Sequence, residues 1–252
     1  MRNLLVVLLL TLTGCASQPE PFSVVIDPLL ANAIVYRGEI NADNVASFEQ
    51  LITNSPTPIE SLIINSGGGE VFAGIRFGEL VYQYQLKVIV DKICASSCAN
   101  YIATASNDVT VREGGLLGWH GGALQPLYLS LQHPQKQAHK NNLENEQFIT
   151  KWRQAELDFF NKVKVNQIVT VIGMMPGLHD KRDAQLFSYD QKTLKQLGLH
   201  IAYEGEQATH SASGEYVVQI FSLSPEVLDL LLMQHSKILE QEKLGLLSQG
   251  IW

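Results

Sequence analysis

Apolar residues recur along the chain in two rhythms. Short apolar or β-branched runs at 33–36, 61–64 and 86–90 read as buried strands. Between them, Val45, Phe48, Leu51 and Ile52, then Ala73, Phe77, Leu80 and Val81, fall at the three- and four-residue steps of amphipathic helices. Val109–Val111 and Leu116–Trp119 add short extended pieces. Strands regularly separated by helices predict an α/β fold with mainly parallel pairing and right-handed crossovers. Farther on, 136–164 reads as one long amphipathic helix with Phe148, Trp152, Ala155, Phe159 and Val163 on a single stripe. Residues 215–223 alternate like a strand. Ser224-Pro225-Glu226 then opens a helix with a cap, a proline in the first turn and an early acid.

The N-terminus follows neither rhythm. Met1-Arg2 supplies a positive charge, 4–10 is an unbroken apolar run, and Leu12-Thr13-Gly14-Cys15 follows. A run that short does not span a bilayer, so residues 1–14 read as a secretory signal. An ordinary signal with an incidental cysteine is one reading. Leu-Thr-Gly-Cys, however, resembles the processing site of bacterial lipoproteins. That resemblance implies a lipid on Cys15 and a domain in the bacterial periplasm anchored to a membrane, while residues 15–22, short, polar and Pro-containing, read as a tether. Ala16, in place of aspartate, favours the outer membrane.

Composition narrows the partners. The 252 residues, less the leader, suit one domain with a substantial core, and the net charge of −7 argues against nucleic acid or anionic lipid as ligand. No second apolar stretch is long enough to cross a membrane.

Three loops at strand ends carry the candidate chemistry, where α/β folds place their sites. Asn65-Ser66-Gly67-Gly68-Gly69 has three glycines that admit close backbone approach; it matches neither a dinucleotide nor a P-loop pattern. Cys94-Ala95-Ser96-Ser97-Cys98 places two serines where strand gives way to helix; a serine there is either a cap or a nucleophile. With Cys15 lipidated, Cys94 and Cys98 are an even pair in an oxidising compartment, and a disulfide or two packed thiols both remain open. No histidine or second cysteine cluster lies at zinc spacing around them, so no metal is expected. The third loop, Leu117-Gly118-Trp119-His120-Gly121-Gly122, holds a histidine beside glycines.

Taken in order, "VYRGEI", "LIINSGGGEVFAG", "ICASSCANYIATAS" and "LGWHGG" resemble the motifs of the Clp-type serine peptidases, and "KQLGLHIA" is similar to that family's closing strand. The resemblance covers roughly 33–202 and implies a ClpP/crotonase-like spiral of βαβ units. It divides the chain into a Clp-like domain over 23–205 and a C-terminal extension over 206–252, a strand and helix packed on it. Carried over residue by residue, it implies Ser97 as nucleophile, with Ser96 the rival, His120 as general base, and the N–H groups of Gly68 and Cys98 as the oxyanion hole. The paired cysteines are similar to those of a secreted group of Clp-like bacterial proteins.

The chain departs from the family at the third triad member. Leu186 occupies the counted position and cannot orient an imidazole; Asp183 lies three residues before it and Asp190 four after, and Asp183 is preferred. The implied activity is an ATP-independent serine peptidase needing no cofactor, acting on peptides or unfolded segments, with the long helix serving a homo-oligomer. A degenerate domain that only binds peptides is the alternative. A CoA enzyme of the related fold is disfavoured, because CoA is not expected outside the cytoplasm.

Overall fold

The computed structural model describes residues 21–132, 143–175, 177–178 and 184–248. Residues 1–14, Cys15 and Asp183, and the first part of the expected long helix, lie outside the described residues. The fold is α/β. Seven strands, β1 (Ser23–Ile26), β2 (Ala33–Arg37), β3 (Ser61–Ser66), β4 (Lys87–Ala95), β5 (Val109–Val111), β6 (Leu116–Gly118) and β8 (Ile201–Tyr203), share one sheet. Its order is β1-β2-β3-β4-β5-β8, with β6 also on β4. Only β1 pairs antiparallel.

Helix α1 (Ala42–Thr53) crosses from β2 to β3, and α2 (Val71–Gln83) from β3 to β4. Asn41 caps α1, its side chain accepting from the Asn44 N–H at 2.9 Å. Val45, Phe48, Phe77, Leu80 and Val81 bury the predicted helix faces against Ile34, Leu62, Ile64, Val88 and Val90 of the strands. Burying each such side chain contributes roughly 1.5–3 kcal/mol.

Strand β4 runs five residues beyond the predicted 86–90 and does two jobs along one edge. Val88–Val90 pair with β5, and Ile93–Ala95 pair with β6. A register shift against β3 separates the halves, and the Asn65 side chain accepts the Ile93 N–H there at 3.2 Å. The extension delivers the Cys94–Cys98 segment to the carboxyl edge of the sheet, beside the glycine loop that leaves β3.

The chain then turns into a π-helix, Cys98–Ala103, which packs under α2. A Cβ on Gly78 of α2 would lie 2.4 Å from the Tyr101 carbonyl oxygen, so that crossing needs a glycine. Helix α3 (Gln125–Gln132) follows the histidine loop, and α4 (Leu143–Val163) is the described part of the long helix. Phe159 and Val163 of its stripe are buried as expected, whereas Phe148 is 43% exposed and stacks edge-on with Phe72 of α2.

The C-terminal segment joins the same core. Strand β7 (Leu186–Tyr189) pairs in parallel with β9 (Val218–Phe221), and α5 (Gln191–Gln196) lies between β7 and β8. Helix α6 (Pro225–Ser248) begins after Ser224, as the cap pattern indicates, and buries Leu228 and Leu231. Buried His235 of α6 meets the Tyr128 hydroxyl of α3 through Nδ1 at 2.5 Å.

Candidate active site

Strand β4 ends at Ala95, and the next residue carries the turn. Ser96 has φ of +57°, the left-handed region, in which a side chain costs roughly 1–2 kcal/mol. Its N–H donates to Gly118 O of β6 at 3.1 Å, and its carbonyl accepts the Asn100 N–H at 2.8 Å. Held at both ends, the residue projects its side chain from the sharp strand-to-helix corner, the geometry that exposes a nucleophilic hydroxyl.

The Ser96 Oγ lies 2.7 Å from His120 Nε2. His120 is exposed, just beyond β6, and the preceding Trp119 is bridged to Phe187 of β7 by two 2.7 Å backbone bonds. Strand β4 thus sets the hydroxyl, β6 with its bridge to β7 sets the imidazole, and the β4–β6 pairing brings the two into contact.

Ser97, the expected partner of His120, does something else. It is 2% exposed, and its Oγ donates to Gly69 O at 2.7 Å. The expectation is therefore corrected by one residue: the hydroxyl on His120 belongs to Ser96. The left-handed kink at 96 turns the two neighbouring side chains to different surroundings, one to His120 and one to the glycine loop. The backbone N–H following the histidine-bonded serine is accordingly that of Ser97 rather than Cys98.

Gly68 lies against the Ser96 corner. With φ of +99°, it abuts the corner so closely that a Cβ would lie 2.7 Å from Ala95 O, 2.7 Å from Ser96 Cβ and 2.9 Å from Ser97 N. Its N–H donates to Ser66 Oγ at 3.1 Å, and its carbonyl accepts the Ile40 N–H at 2.9 Å. Gly67 faces Tyr216, whose hydroxyl oxygen would be 3.2 Å from a Cβ there. That neighbour from the C-terminal extension was not foreseen, because nothing in residues 206–217 marks a loop as returning to the sheet edge.

Cys94 and Cys98 are joined by a disulfide, with their Cα atoms 5.2 Å apart, and both are fully buried. The bond clasps the corner that carries Ser96, linking the strand end to the first helical residue. Of the acids weighed as third members, Asp190 is a helix cap: its carboxylate accepts from Thr193 N at 2.8 Å and from the Ser222 hydroxyl at 2.6 Å. Partial burial works against its ionisation, yet these hydrogen bonds hold its carboxyl below the usual range. Among the described residues no group of three His, Cys, Asp or Glu side chains could hold a metal, and no helix is long and apolar enough to cross a membrane.

No protein-family model and no curated protein matches the chain. Among solved structures, it is similar to a mutant of ClpP1 from Listeria monocytogenes, at 16% identity over 70% of this chain and 93% of that one, with a TM-score of 0.44. It is also similar to the membrane-bound stomatin-specific protease 1510-N, at 16% identity over 77% of this chain and 95% of that one, TM-score 0.39. A structure described as an enoyl-CoA hydratase from Rhodopseudomonas palustris matches 37% of this chain and 46% of its own, at 12% identity and a TM-score of 0.29. These are likenesses of fold.

Proposed function

We propose that the chain is a serine hydrolase of the peptidase type, tethered to a membrane through lipid on Cys15 and acting in the bacterial periplasm without ATP. The observation that carries this reading is the 2.7 Å contact between Ser96 Oγ and His120 Nε2 at a left-handed corner. A serine hydroxyl becomes a competent nucleophile when an imidazole takes its proton, and here the imidazole is in place. Ser96 Oγ attacks the substrate carbonyl while His120 Nε2 takes the hydroxyl proton and passes it to the leaving amine. Water then releases the acyl group from Ser96. The oxyanion is met by the Ser97 N–H and by the Gly68 N–H, which exchanges its bond to Ser66 Oγ for the substrate oxygen. Each such donor is typically worth ~3–4 kcal/mol of barrier. Asp183 is the proposed orienting carboxylate for His120, and a homo-oligomer is the expected assembly.

A second reading is favoured by one observation: the Gly68 N–H is already satisfied by Ser66 Oγ. If that bond persists, the domain captures peptides without turning them over. Fluorophosphonate labelling of the full chain in detergent separates the two. Ser96→Ala and His120→Ala are each expected to abolish labelling, whereas Ser97→Ala retains it, since it keeps the backbone N–H and removes only the hydroxyl that ties down the glycine loop. Asp183→Asn is expected to lower the rate by about 10²-fold or more. A wild-type chain that binds peptides but resists the reagent establishes the binding-only reading. Labelling lost in Ser97→Ala and kept in Ser96→Ala refutes the assignment of the nucleophile.

A further inference from the structure

Asn100 sits in the π-helix one turn beyond Ser96, and it is 3% exposed. Its backbone N–H donates to the Ser96 carbonyl at 2.8 Å, and its side-chain Nδ2 donates to Gly121 O at 2.9 Å. One residue therefore touches both the corner that carries the hydroxyl and the peptide that follows His120. Its other amide atom, Oδ1, is buried with no hydrogen-bond partner among the described residues. An orphaned buried acceptor destabilises a fold, so packing alone does not account for an asparagine here.

The far side of the same loop is held by α4. Glu156 is fully buried and accepts the Ala123 N–H at 3.1 Å through both oxygens. It also accepts the Tyr101 hydroxyl at 2.6 Å and the Gln167 amide at 2.8 Å. Trp152 Nε1 donates to the Tyr101 oxygen at 2.8 Å, completing the set. Burial raises the pKa of the Glu156 carboxyl, and the donors around it pull in the opposite direction. The His120 loop is thus gripped at the Gly121 carbonyl by Asn100 and at the Ala123 N–H by Glu156. The adjoining residues Asn100 and Tyr101 provide the link back to the Ser96 helix.

We infer that Asn100 is a positioning residue for the Ser96–His120 pair, and that Glu156 supports it from the opposite side of the histidine loop. The inference rests on Ser96 and His120 working together, as proposed above. An asparagine with one satisfied and one orphaned end trades stability for a fixed distance between two loops, a pattern expected where function is held. Misplacing reacting groups by about 1 Å can cost ~10²-fold in rate.

The test is Asn100→Leu in the full chain, a replacement of similar shape. It removes the orphaned Oδ1 but deprives the Gly121 carbonyl of its donor, so the urea midpoint is expected to stay near wild type. The His120 ring 15N shifts should move to those of Ser96→Ala, reporting loss of the hydroxyl contact, and fluorophosphonate labelling should slow by about 10²-fold. Glu156→Ala should move the same His120 signals. Glu156→Gln should leave them, because its carboxamide oxygen still accepts from Ala123. If leucine prevents folding, Asn100→Ser must produce the same shift change. The ring shifts do not depend on turnover, so an unreactive wild type would count against the proposed function without bearing on the clamp. Wild-type His120 shifts in a folded Asn100→Leu or Asn100→Ser chain would overturn the inference.

Discussion

Gly68→Ala adds one methyl group at the point where the glycine loop meets the Ser96 corner. Two costs follow. The residue has φ of +99°, and an alanine held at positive φ loses roughly 1–2 kcal/mol. The new Cβ would also lie 2.7 Å from Ala95 O and from Ser96 Cβ, and 2.9 Å from Ser97 N. Two of those atoms are backbone and belong to a segment clasped by the Cys94–Cys98 disulfide, so they cannot swing aside. Overpacking of that kind typically costs about 1–3 kcal/mol. The expected total is about 2–5 kcal/mol.

Gly114→Ala provides the control, because Gly114 has φ of +72° with nothing within 4 Å of an added Cβ. It should pay only the conformational cost, and the difference between the two variants isolates the collision. Urea unfolding at unchanged m-value measures both. Gly68→Ala should also lose fluorophosphonate labelling, since relief of the collision comes only by moving the loop off the corner. Equal midpoints for the two variants, or normal labelling in Gly68→Ala, would refute the close fit argued here.

Thiol titration of the unfolded, unreduced chain should detect no reactive thiol from Cys94 or Cys98, and removing the bond should cost ~2 kcal/mol for so short a loop. Stability should also fall in acid through His235. Burial lowers its pKa from 6.5 to about 4, so between those values the unfolded chain takes up a proton that the native chain refuses. The loss therefore begins as pH drops below 6.5 and reaches ~3 kcal/mol near pH 4; His235→Phe should flatten that slope, and an unchanged slope would refute it. Cys15→Ser should abolish lipid attachment, and unchanged mass and membrane fractionation in that variant would sink the proposed anchor.

Much of the architecture was legible in the sequence because periodicity reports burial directly. The runs at 33–36, 61–64 and 86–90 and the helical faces of Val45–Phe48–Ile52 and Phe77–Leu80–Val81 could bury themselves in one way only, and β2, β3, β4, α1 and α2 follow. The Ser224-Pro225-Glu226 start of α6 is local capping chemistry and needs no tertiary information. Strand β7 was missed because Leu186–Tyr189 gains its ladder from β9, about thirty residues later, and from a bridge at Trp119. Helix α5 was missed because six residues capped by Asp190 leave too little periodicity to see.

The site divides in the same way. Glycine at 68, a serine at the strand end and a histidine after β6 are choices of residue type, and the sequence displays them. Which serine meets His120 is a question of direction. Along an extended chain a shift of one residue sends the side chain to the opposite face, so spacing alone cannot separate Ser96 from Ser97. The decision comes from where β4 stops, and that depends on its pairing with β6 through Ile93–Ala95. Once the ladder ends at Ala95, the positive φ falls on Ser96, its hydroxyl turns to His120, and Ser97 is left to hold the glycine loop.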